Sequence, residues 1–333
     1  MIASKNHVQG LDLLRGFCGY LVAICHYQWL VNKFNYFEYI SILFVEFFFI
    51  LSGFVLAPQL IKIINEKKYI TVFFQRRWMR TIPLYLLSLI IVSIITNNIF
   101  SKDFFLYFFF LNKSLPNLLD NDYFAVAWSL AVEEYFYIIF PILIYFFFNN
   151  QNFKIYTIIL LIILIILIIL FSFIVDDNFY RTGTLLRIDS ILCGFLVAVL
   201  FLEKKIKFIF SLVMLIILLF LYYYYYKFEL YNLDKFYIKI FFISLIKIIS
   251  IFTLLLFYKI NLGVYFSKLI KLIANQTYSI YLLHLPLIYI INSNKNFNLN
   301  LMEYCFFLFI ISSIVFYSFE KPILSLRPKY EKN

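Results

Sequence analysis

The sequence predicts an all-α membrane protein that crosses the bilayer about ten times, with both termini in the cytoplasm. Of its 333 residues, 64% are hydrophobic, 23% are aromatic and only 14% are charged. The mean hydropathy of +0.90 is too high for an ordinary soluble domain. Apolar stretches of about 20 residues, long enough to span a membrane, recur along the whole chain. No linker interrupts them, so residues 1–333 are predicted to form a single integral-membrane domain without an additional soluble domain.

Ten apolar stretches can be placed as candidate spans. Their approximate ranges are 11–31, 39–61, 82–101, 123–148, 155–175, 184–202, 208–226, 238–258, 274–292 and 301–319. The segment 104–111 is too short to cross a bilayer, which leaves an interfacial or a re-entrant position open for it. The first stretch has no small-residue cleavage site after it, so we expect it to be retained as a span.

The basic residues are distributed unevenly between the two sides. With the N-terminus inside, 18 Lys and Arg residues fall on inner connections and 8 on outer ones, while Arg15, Arg187 and Lys247 lie within spans. This bias agrees with the positive-inside rule. Because the net charge of +11 is explained by topology, membrane lipids are the expected surroundings and no nucleic-acid partner is expected.

Arg15 and His26 lie in the first span, where ionisable side chains are costly and usually mark a functional site. They are eleven residues apart, which on a helix places them on nearly one face at a distance of roughly 16 Å. One helix could therefore hold a phosphate at one end and perform chemistry further along.

Three arginines, Arg76, Arg77 and Arg80, precede Pro83. Since proline is well tolerated at a helix start, we expect these arginines at the entrance of a membrane helix on the basic side. Guanidinium groups bind phosphate with a bidentate geometry that lysine cannot match. Anchoring to the membrane surface by positive charge is the alternative.

Other polar residues lie inside the predicted second and fourth spans. Glu46 precedes Ser52 and Gly53, a small pair that allows either close backbone approach or a kink within the membrane. Glu133 and Glu134 are adjacent, so they point about 100° apart on a helix and at most one can face a given cavity squarely. The other would fix a neighbouring helix.

Arg187 and Asp189 begin the sixth span and, with the loop before it, would suit a polyhydroxylated ligand; a solvated loop is the alternative. His284 is a second histidine within a span, and a hydrogen bond to a neighbouring helix is its simpler explanation. The four cysteines lack metal-ligand spacing, so they are expected to be small buried residues and no metal is expected. They are Cys18, Cys25, Cys193 and Cys305.

Six motifs resemble, in the same order, those of the acyltransferase-3 family of membrane-bound O-acyltransferases. They are Arg15 with His26, the run Phe48 to Phe54 around Ser52 and Gly53, Arg77 and Arg80 followed by Pro83, Trp128-Ser129-Leu130 with Glu133 and Glu134, Tyr281-Leu282-Leu283-His284, and Glu320-Lys321-Pro322. The resemblance runs from about residue 8 to residue 325. Two positions depart from many relatives, namely Ala131 in place of Ser and Glu46 in place of Asp. We read Glu320-Lys321-Pro322 as the stop of the last span and as an ion pair.

The resemblance implies an enzyme of the bacterial cell membrane that transfers an acyl group, usually acetyl from acetyl-CoA, to a hydroxyl of a cell-surface carbohydrate. His26 would be the general base, with a covalent acyl-histidine as the variant, and Glu133 and Glu134 complete the catalytic group. The donor would be held by Arg15, Arg76, Arg77 and Arg80, beside Ser52 and Gly53. The residues predicted to contact the substrate are Glu46, Trp128, Ser129, Arg187, Asp189, Tyr281 and His284.

Two other functions are compatible with intramembrane charges. A transporter or flippase for a glycolipid or polysaccharide unit predicts broken helices at matching positions of two repeats, but the sequence has no internal repeat. A purely structural membrane subunit explains neither Arg15 with His26 nor the arginine cluster. The identity of the acceptor, the length of the acyl chain and the oligomeric state stay open.

Overall fold

The computed structural model describes residues 8–149, 151–201, 208–227, 236–293 and 299–330. These residues form helices and connections and contain no strand. The helices, in chain order, are α1 (Gln9–Leu30), α2 (Asn35–Asn65), α3 (Tyr69–Ile95), α4 (Lys102–Phe108), α5 (Ala127–Phe147), α6 (Phe153–Ser172), α7 (Asp177–Thr182), α8 (Thr184–Phe201), α9 (Phe208–Lys227), α10 (Phe236–Tyr258), α11 (Gly263–Ser293), α12 (Leu301–Val315), a π-helical turn (Phe316–Glu320) and α13 (Lys321–Ser325).

Seven helices in the described part of the chain are long and apolar enough to cross a membrane. They are α2, α3, α5, α6, α9, α10 and α12 with its continuation into α13. The all-α membrane architecture predicted from the sequence is therefore confirmed. The helices α1, α8 and α11 overlap three further predicted spans, so the number ten and the orientation of the termini stay predictions. Helix α4 has seven residues and is too short to span.

Two predicted helix boundaries are wrong. Pro83 does not begin a helix but lies inside α3, which starts at Tyr69. An internal proline loses one backbone hydrogen bond, and membrane helices tolerate this where neighbouring groups satisfy the freed carbonyl. The arginines before Pro83 consequently project from α3 itself.

The last helical segment also does not end at Glu320, where the sequence predicted its end. The π-helical turn Phe316–Glu320 continues α12 into α13, and Pro322 occupies the first turn of that short helix, where its missing N–H costs nothing. Such π-helical turns often occur at functional sites, and Glu320 here accepts a hydrogen bond from Ser279 Oγ at 2.8 Å.

Glycines bring two helix pairs into close contact. On α1, a Cβ at Gly16 would lie 2.7 Å from Ile273 of α11, so the helix that carries Arg15 packs tightly on α11. On α2, a Cβ at Gly53 would overlap the carbonyl oxygen of Ile191 in α8. Small residues permit this close backbone approach inside membranes, and the two contacts fix the walls around the site described below.

Candidate active site

A cavity of about 160 Å³ lies between α1, α2, α3, α5 and α11. Its wall combines apolar side chains with cations and hydroxyl groups. The lining residues are Arg15, Val45, Phe48, Phe49, Leu51, Ser52, Val55, Leu56, Arg77, Arg80, Thr81, Ser129, Leu130, Glu133, Tyr137, Thr277, Tyr278 and Tyr281. The cavity therefore unites predicted site residues from five helices that are far apart in sequence.

Three of the predicted phosphate-binding arginines, Arg15, Arg77 and Arg80, reach this cavity. Arg15 is paired with Asp12 one turn earlier on α1. Arg77 donates from Nη2 to Gln59 Oε1 at 3.1 Å. The Nε atoms of Arg15 and Arg77 are buried and have no hydrogen-bond partner among the described residues. Buried donors without partners are costly, so this end of the cavity is suited to an anion.

The fourth predicted arginine, Arg76, does not line the cavity. Its Nη1 donates to the carbonyl oxygen of Pro328 at 2.5 Å, which ties α3 to the C-terminal segment of the chain. Its guanidinium carbon lies 5.3 Å from the centre of the Tyr330 ring. Arg76 thus lies at the margin of the cation cluster, which is formed by the cavity-lining Arg15, Arg77 and Arg80.

The two adjacent carboxylates separate as the helical geometry predicts. Glu133 lines the cavity and its Oε2 accepts from the hydroxyl of Tyr137 at 2.8 Å. The hydroxyl of Ser52 lies 3.5 Å from that of Tyr137. Glu134 is buried away from the cavity and accepts from Thr81 Oγ1 on α3. One carboxylate therefore faces the cavity while the other joins two helices.

Two hydroxyl groups meet in the wall of the cavity. Ser129 Oγ and the Tyr281 hydroxyl lie 2.6 Å apart and connect α5 to α11. Phe48 packs edge-on against the ring of Tyr281, with centroids 5.7 Å apart. Trp128 lies behind this wall, against Phe49, so it supports the cavity without lining it.

Beyond Tyr281 lie the two intramembrane histidines, which contact each other. His26 Nδ1 is 2.8 Å from His284 Nε2, and the two rings are stacked with centroids 5.1 Å apart. The rings of Tyr281 and His284 are 5.7 Å apart. The histidine pair is thus one side-chain layer away from the cavity, and neither ring lines it.

The hydrogen bonds of the pair define which nitrogens carry protons. His284 Nδ1 lies 2.6 Å from the carbonyl oxygen of Tyr281, and a carbonyl only accepts, so Nδ1 must donate. In neutral His284, Nε2 is then an acceptor, so His26 Nδ1 must donate to it. This leaves His26 Nε2 with a free lone pair. His284 is fully buried, whereas His26 is half-buried, so His26 Nε2 can act as a base toward an incoming hydroxyl.

The predicted residues on the α2, α8 and α10 side lie outside this cavity. Glu46 and Arg187 form a buried ion pair between α2 and α8. Asp189 on α8 is paired with Lys247 on α10. In the part of the chain that the structure describes, Oε1 of Glu46 and the Nε and Nη1 atoms of Arg187 have no hydrogen-bond partner. The structure thus places these residues among packed helices, with unused hydrogen-bonding capacity at the first pair.

Gly53 also lies away from the cavity wall. It faces α8 at the close contact with Ile191, whereas the adjacent Ser52 lines the cavity. Gly53 therefore serves helix packing, and Ser52 forms part of the cavity wall. This division follows from the angle of about 100° between neighbouring helical positions.

Several residues near the site were not predicted from the sequence. Tyr278 lines the cavity and its hydroxyl donates to the carbonyl oxygen of Thr81 at 2.7 Å. Tyr137 lies one helical turn after Glu133, and that spacing could have indicated their contact. Arg327 follows α13 in the C-terminal segment, and no spacing signal connects it to the arginines of α3.

The described residues contain no group of three or more His, Cys, Asp or Glu side chains that could hold a metal ion. The four cysteines are unpaired, with Cys18 and Cys25 buried and Cys193 and Cys305 half-buried. Among the described residues that line the cavity there is no cysteine.

Comparison with known proteins identifies the chain's relatives. The family model described as an acyltransferase domain matches residues 8–319. The chain is 30% identical to O-acetyltransferase OatA of Staphylococcus aureus strains NCTC 8325, COL and MRSA252, over 87% of this chain and 52% of each relative. The chain thus spans about half the length of these curated relatives. No solved structure matches the chain.

Proposed function

The chain belongs to this acyltransferase family, and we propose that it transfers an acetyl group from acetyl-CoA to a hydroxyl of a cell-surface carbohydrate. The observation that supports this most directly is the order of groups across the membrane helices. A cluster of arginines, a mostly apolar cavity and a histidine with a free ring nitrogen follow one another. These are the parts needed to bind an anionic thioester and to activate a hydroxyl.

The cation end of the cavity binds the phosphates of the donor. Arg15, Arg77 and Arg80 come from two helices and converge on one space. Guanidinium groups favour phosphate because they donate in a planar fork. The buried Nε atoms of Arg15 and Arg77 that lack partners would gain them from phosphate oxygens. Arg76 contributes positive charge from the margin.

The middle of the cavity accommodates the uncharged arm and the acyl group of the donor. Its wall there includes Phe48, Phe49 and Leu130, with Ser52 as a small polar contact. Apolar walls with a few placed polar groups are typical of small-molecule sites. Glu133, which accepts a hydrogen bond from Tyr137 at 2.8 Å, orients the donor's arm and acyl group in this part of the cavity.

His26 acts as the general base in the transfer. Its Nε2 accepts the proton of the acceptor hydroxyl while the oxygen forms a bond to the acyl carbon. The bond from that carbon to sulfur breaks, and the proton passes from His26 to the departing thiolate. An imidazole suits proton transfer near neutral pH. Reaction requires that the contact between Ser129 and Tyr281 open or that the donor reach past it.

His284 is a positioning residue in this scheme. Its Nε2 holds the Nδ1 proton of His26 and so keeps His26 Nε2 unprotonated. A buried carboxylate has the corresponding role in the triad of serine proteases. Here a second imidazole, fixed by the Tyr281 carbonyl, replaces the carboxylate.

The acceptor is assigned from the relatives. The matched Staphylococcus aureus proteins are named O-acetyltransferases, and His26 lies near the end of α1 opposite Arg15. A donor bound at the arginines from the cytoplasm and an acceptor on the outer side would meet between these two residues. A carbohydrate or glycolipid of the cell envelope therefore fits as acceptor.

The proposal is tested with membranes that contain native envelope glycans and acetyl-labelled acetyl-CoA. Label that reaches glycan and is released by mild alkali measures ester formation. We expect transfer by the wild-type protein and none by His26→Ala, while Gln28→Ala, two residues further on α1, retains it. Absence of transfer by the wild-type protein contradicts the proposed function. Near-normal turnover by His26→Ala removes His26 from the mechanism.

A further inference from the structure

We propose that Arg327, on the C-terminal segment beside the α3 arginines, binds a phosphate of the donor nucleotide. The proposal rests on the proposed function, since it adds a residue to the same donor site. With this role for Arg327, the segment after α13 contributes to the selectivity of the enzyme for its acyl donor. The ligand class is a thioester that carries a nucleotide, as opposed to an acylated pantetheine without phosphates.

The C-terminal segment is anchored across the ends of α2 and α3. The Pro328 carbonyl accepts from Arg76 Nη1 at 2.5 Å. The ring of Tyr330 lies 4.7 Å from Lys62 Nζ and 5.3 Å from the guanidinium carbon of Arg76. Contacts between cations and aromatic faces are attractive at these distances. Arg327, directly before Pro328, is therefore held close to the cation cluster.

The charges around Arg327 are unbalanced. Burial, together with the neighbouring Arg80, Arg76 and Arg77, lowers the pKa of Arg327 to about 10, although Glu320 acts in the opposite direction. Like charges gathered in this way repel each other, and they are stabilised when a polyanion binds among them. The cluster of Arg76, Arg77, Arg80 and Arg327 thus has the charge that a nucleotide phosphate complements.

The donors of this cluster are incompletely used within the protein. The Nε atoms of Arg76 and Arg77 are buried and find no hydrogen-bond partner in the described ranges of the chain. Arg327 donates from Nε to the Leu324 carbonyl oxygen at 3.1 Å. Its terminal nitrogens make no hydrogen bond within the part of the chain that the structure describes. A structural arginine at a helix end would pair with a nearby carboxylate, but among the described residues Glu320 accepts from Ser279 and forms no ion pair with Arg327. The free terminal nitrogens are consequently available to phosphate.

The test measures equilibrium binding of labelled CoA to the purified protein, with pantetheine as a competitor that lacks phosphates. Arg327→Gln is expected to weaken CoA binding about tenfold and to leave competition by pantetheine unchanged. Arg327→Lys should recover part of the affinity. Lys329→Gln removes the same charge from an exposed neighbour and serves as the matched control.

The outcomes separate this inference from the proposed function. An unchanged CoA affinity in Arg327→Gln overturns the role of Arg327, even when the wild-type protein binds CoA and acetylates glycan. An equal loss in Lys329→Gln, or a parallel loss of pantetheine competition, also overturns it, because the effect would then be general charge or folding. A wild-type protein that binds no CoA overturns both proposals.

Discussion

Replacing His284 by leucine tests the hydrogen bond that fixes the protonation of His26. The bond from His26 Nδ1 to His284 Nε2 is 2.8 Å long, and His284 is fully buried. Leucine removes the acceptor and leaves a buried N–H unpaired, which costs about 1–3 kcal/mol. Alternatively the proton moves to Nε2, and His26 then has no lone pair for the acceptor hydroxyl.

Both consequences lower the rate of acyl transfer. A loss of about 1–3 kcal/mol in the transition state corresponds to a fall in kcat of about 5-fold to 150-fold. The Michaelis constant for acetyl-CoA should stay unchanged, because His284 does not line the donor cavity. His284→Gln offers an amide oxygen as acceptor, so we expect it to recover most of the lost rate.

The assay is release of alkali-labile label from envelope glycans at saturating acetyl-CoA, with the melting temperature of each variant as a check on folding. His26→Gln provides the comparison for complete loss of the base. Wild-type kcat in a folded His284→Leu variant would refute the tautomer argument. A rise in the Michaelis constant with unchanged kcat would instead assign His284 to substrate binding.

Three further predictions follow from the arginine cluster and from the helix contacts. Arg77→Gln should raise the Michaelis constant for acetyl-CoA at least about tenfold, since hydrogen bonds to charged groups are worth about 1.5–3 kcal/mol; steady-state kinetics with varied donor measures it. Gly53→Ala should lower the free energy of unfolding by about 1–3 kcal/mol, seen as a lower Tm in detergent, because its Cβ would overlap the Ile191 carbonyl. Asp189→Asn should destabilise by up to about 3–5 kcal/mol, because it leaves the partly buried charge of Lys247 uncompensated; thermal unfolding of the single variant and of Asp189→Leu with Lys247→Met measures the difference.

A control variant tests the physical explanation behind each of these three predictions. Arg181→Gln, which removes a cation paired with Glu38 far from the cavity, should leave donor kinetics unchanged, and an equal effect would contradict a specific phosphate role for Arg77. Gly16→Ala brings its Cβ to 2.7 Å from a side-chain methyl of Ile273, and the nearest backbone atom stays at 3.4 Å. A Tm loss as large as that of Gly53→Ala would therefore speak against the backbone clash. A double apolar variant no more stable than Asp189→Asn argues against the charge explanation.

The sequence determined the class of fold and predicted several of the residues that line the cavity. Hydrophobic stretches long enough for a bilayer predict membrane helices whatever their neighbours, because the lipid imposes the pattern on each segment separately. Arg15 and His26 are expected on one helix from their spacing, and α1 contains both. The separation of Glu133 from Glu134 likewise follows from helical rotation alone.

Helix boundaries were less well determined. The arginines of α3 and Pro83 were expected at a helix entrance, yet the helix extends from Tyr69. Polar residues depress local hydropathy without breaking a helix, and an internal proline is tolerated in a membrane. The start of α11 at Gly263, eleven residues before the predicted span, has the same cause.

The tertiary structure alone decided which polar residues meet. Glu46, Arg187 and Asp189 were grouped with the substrate because charges in a span suggest function, and packing instead joins Glu46 to Arg187 and Asp189 to Lys247. The contact of His26 with His284 spans 258 positions of sequence. Spacing specifies the face of one helix, but it carries no information on which other helix covers that face. That choice depends on the close contacts at Gly16 and Gly53 and on the free energy of pairing buried charges, which exist only in the assembled bundle.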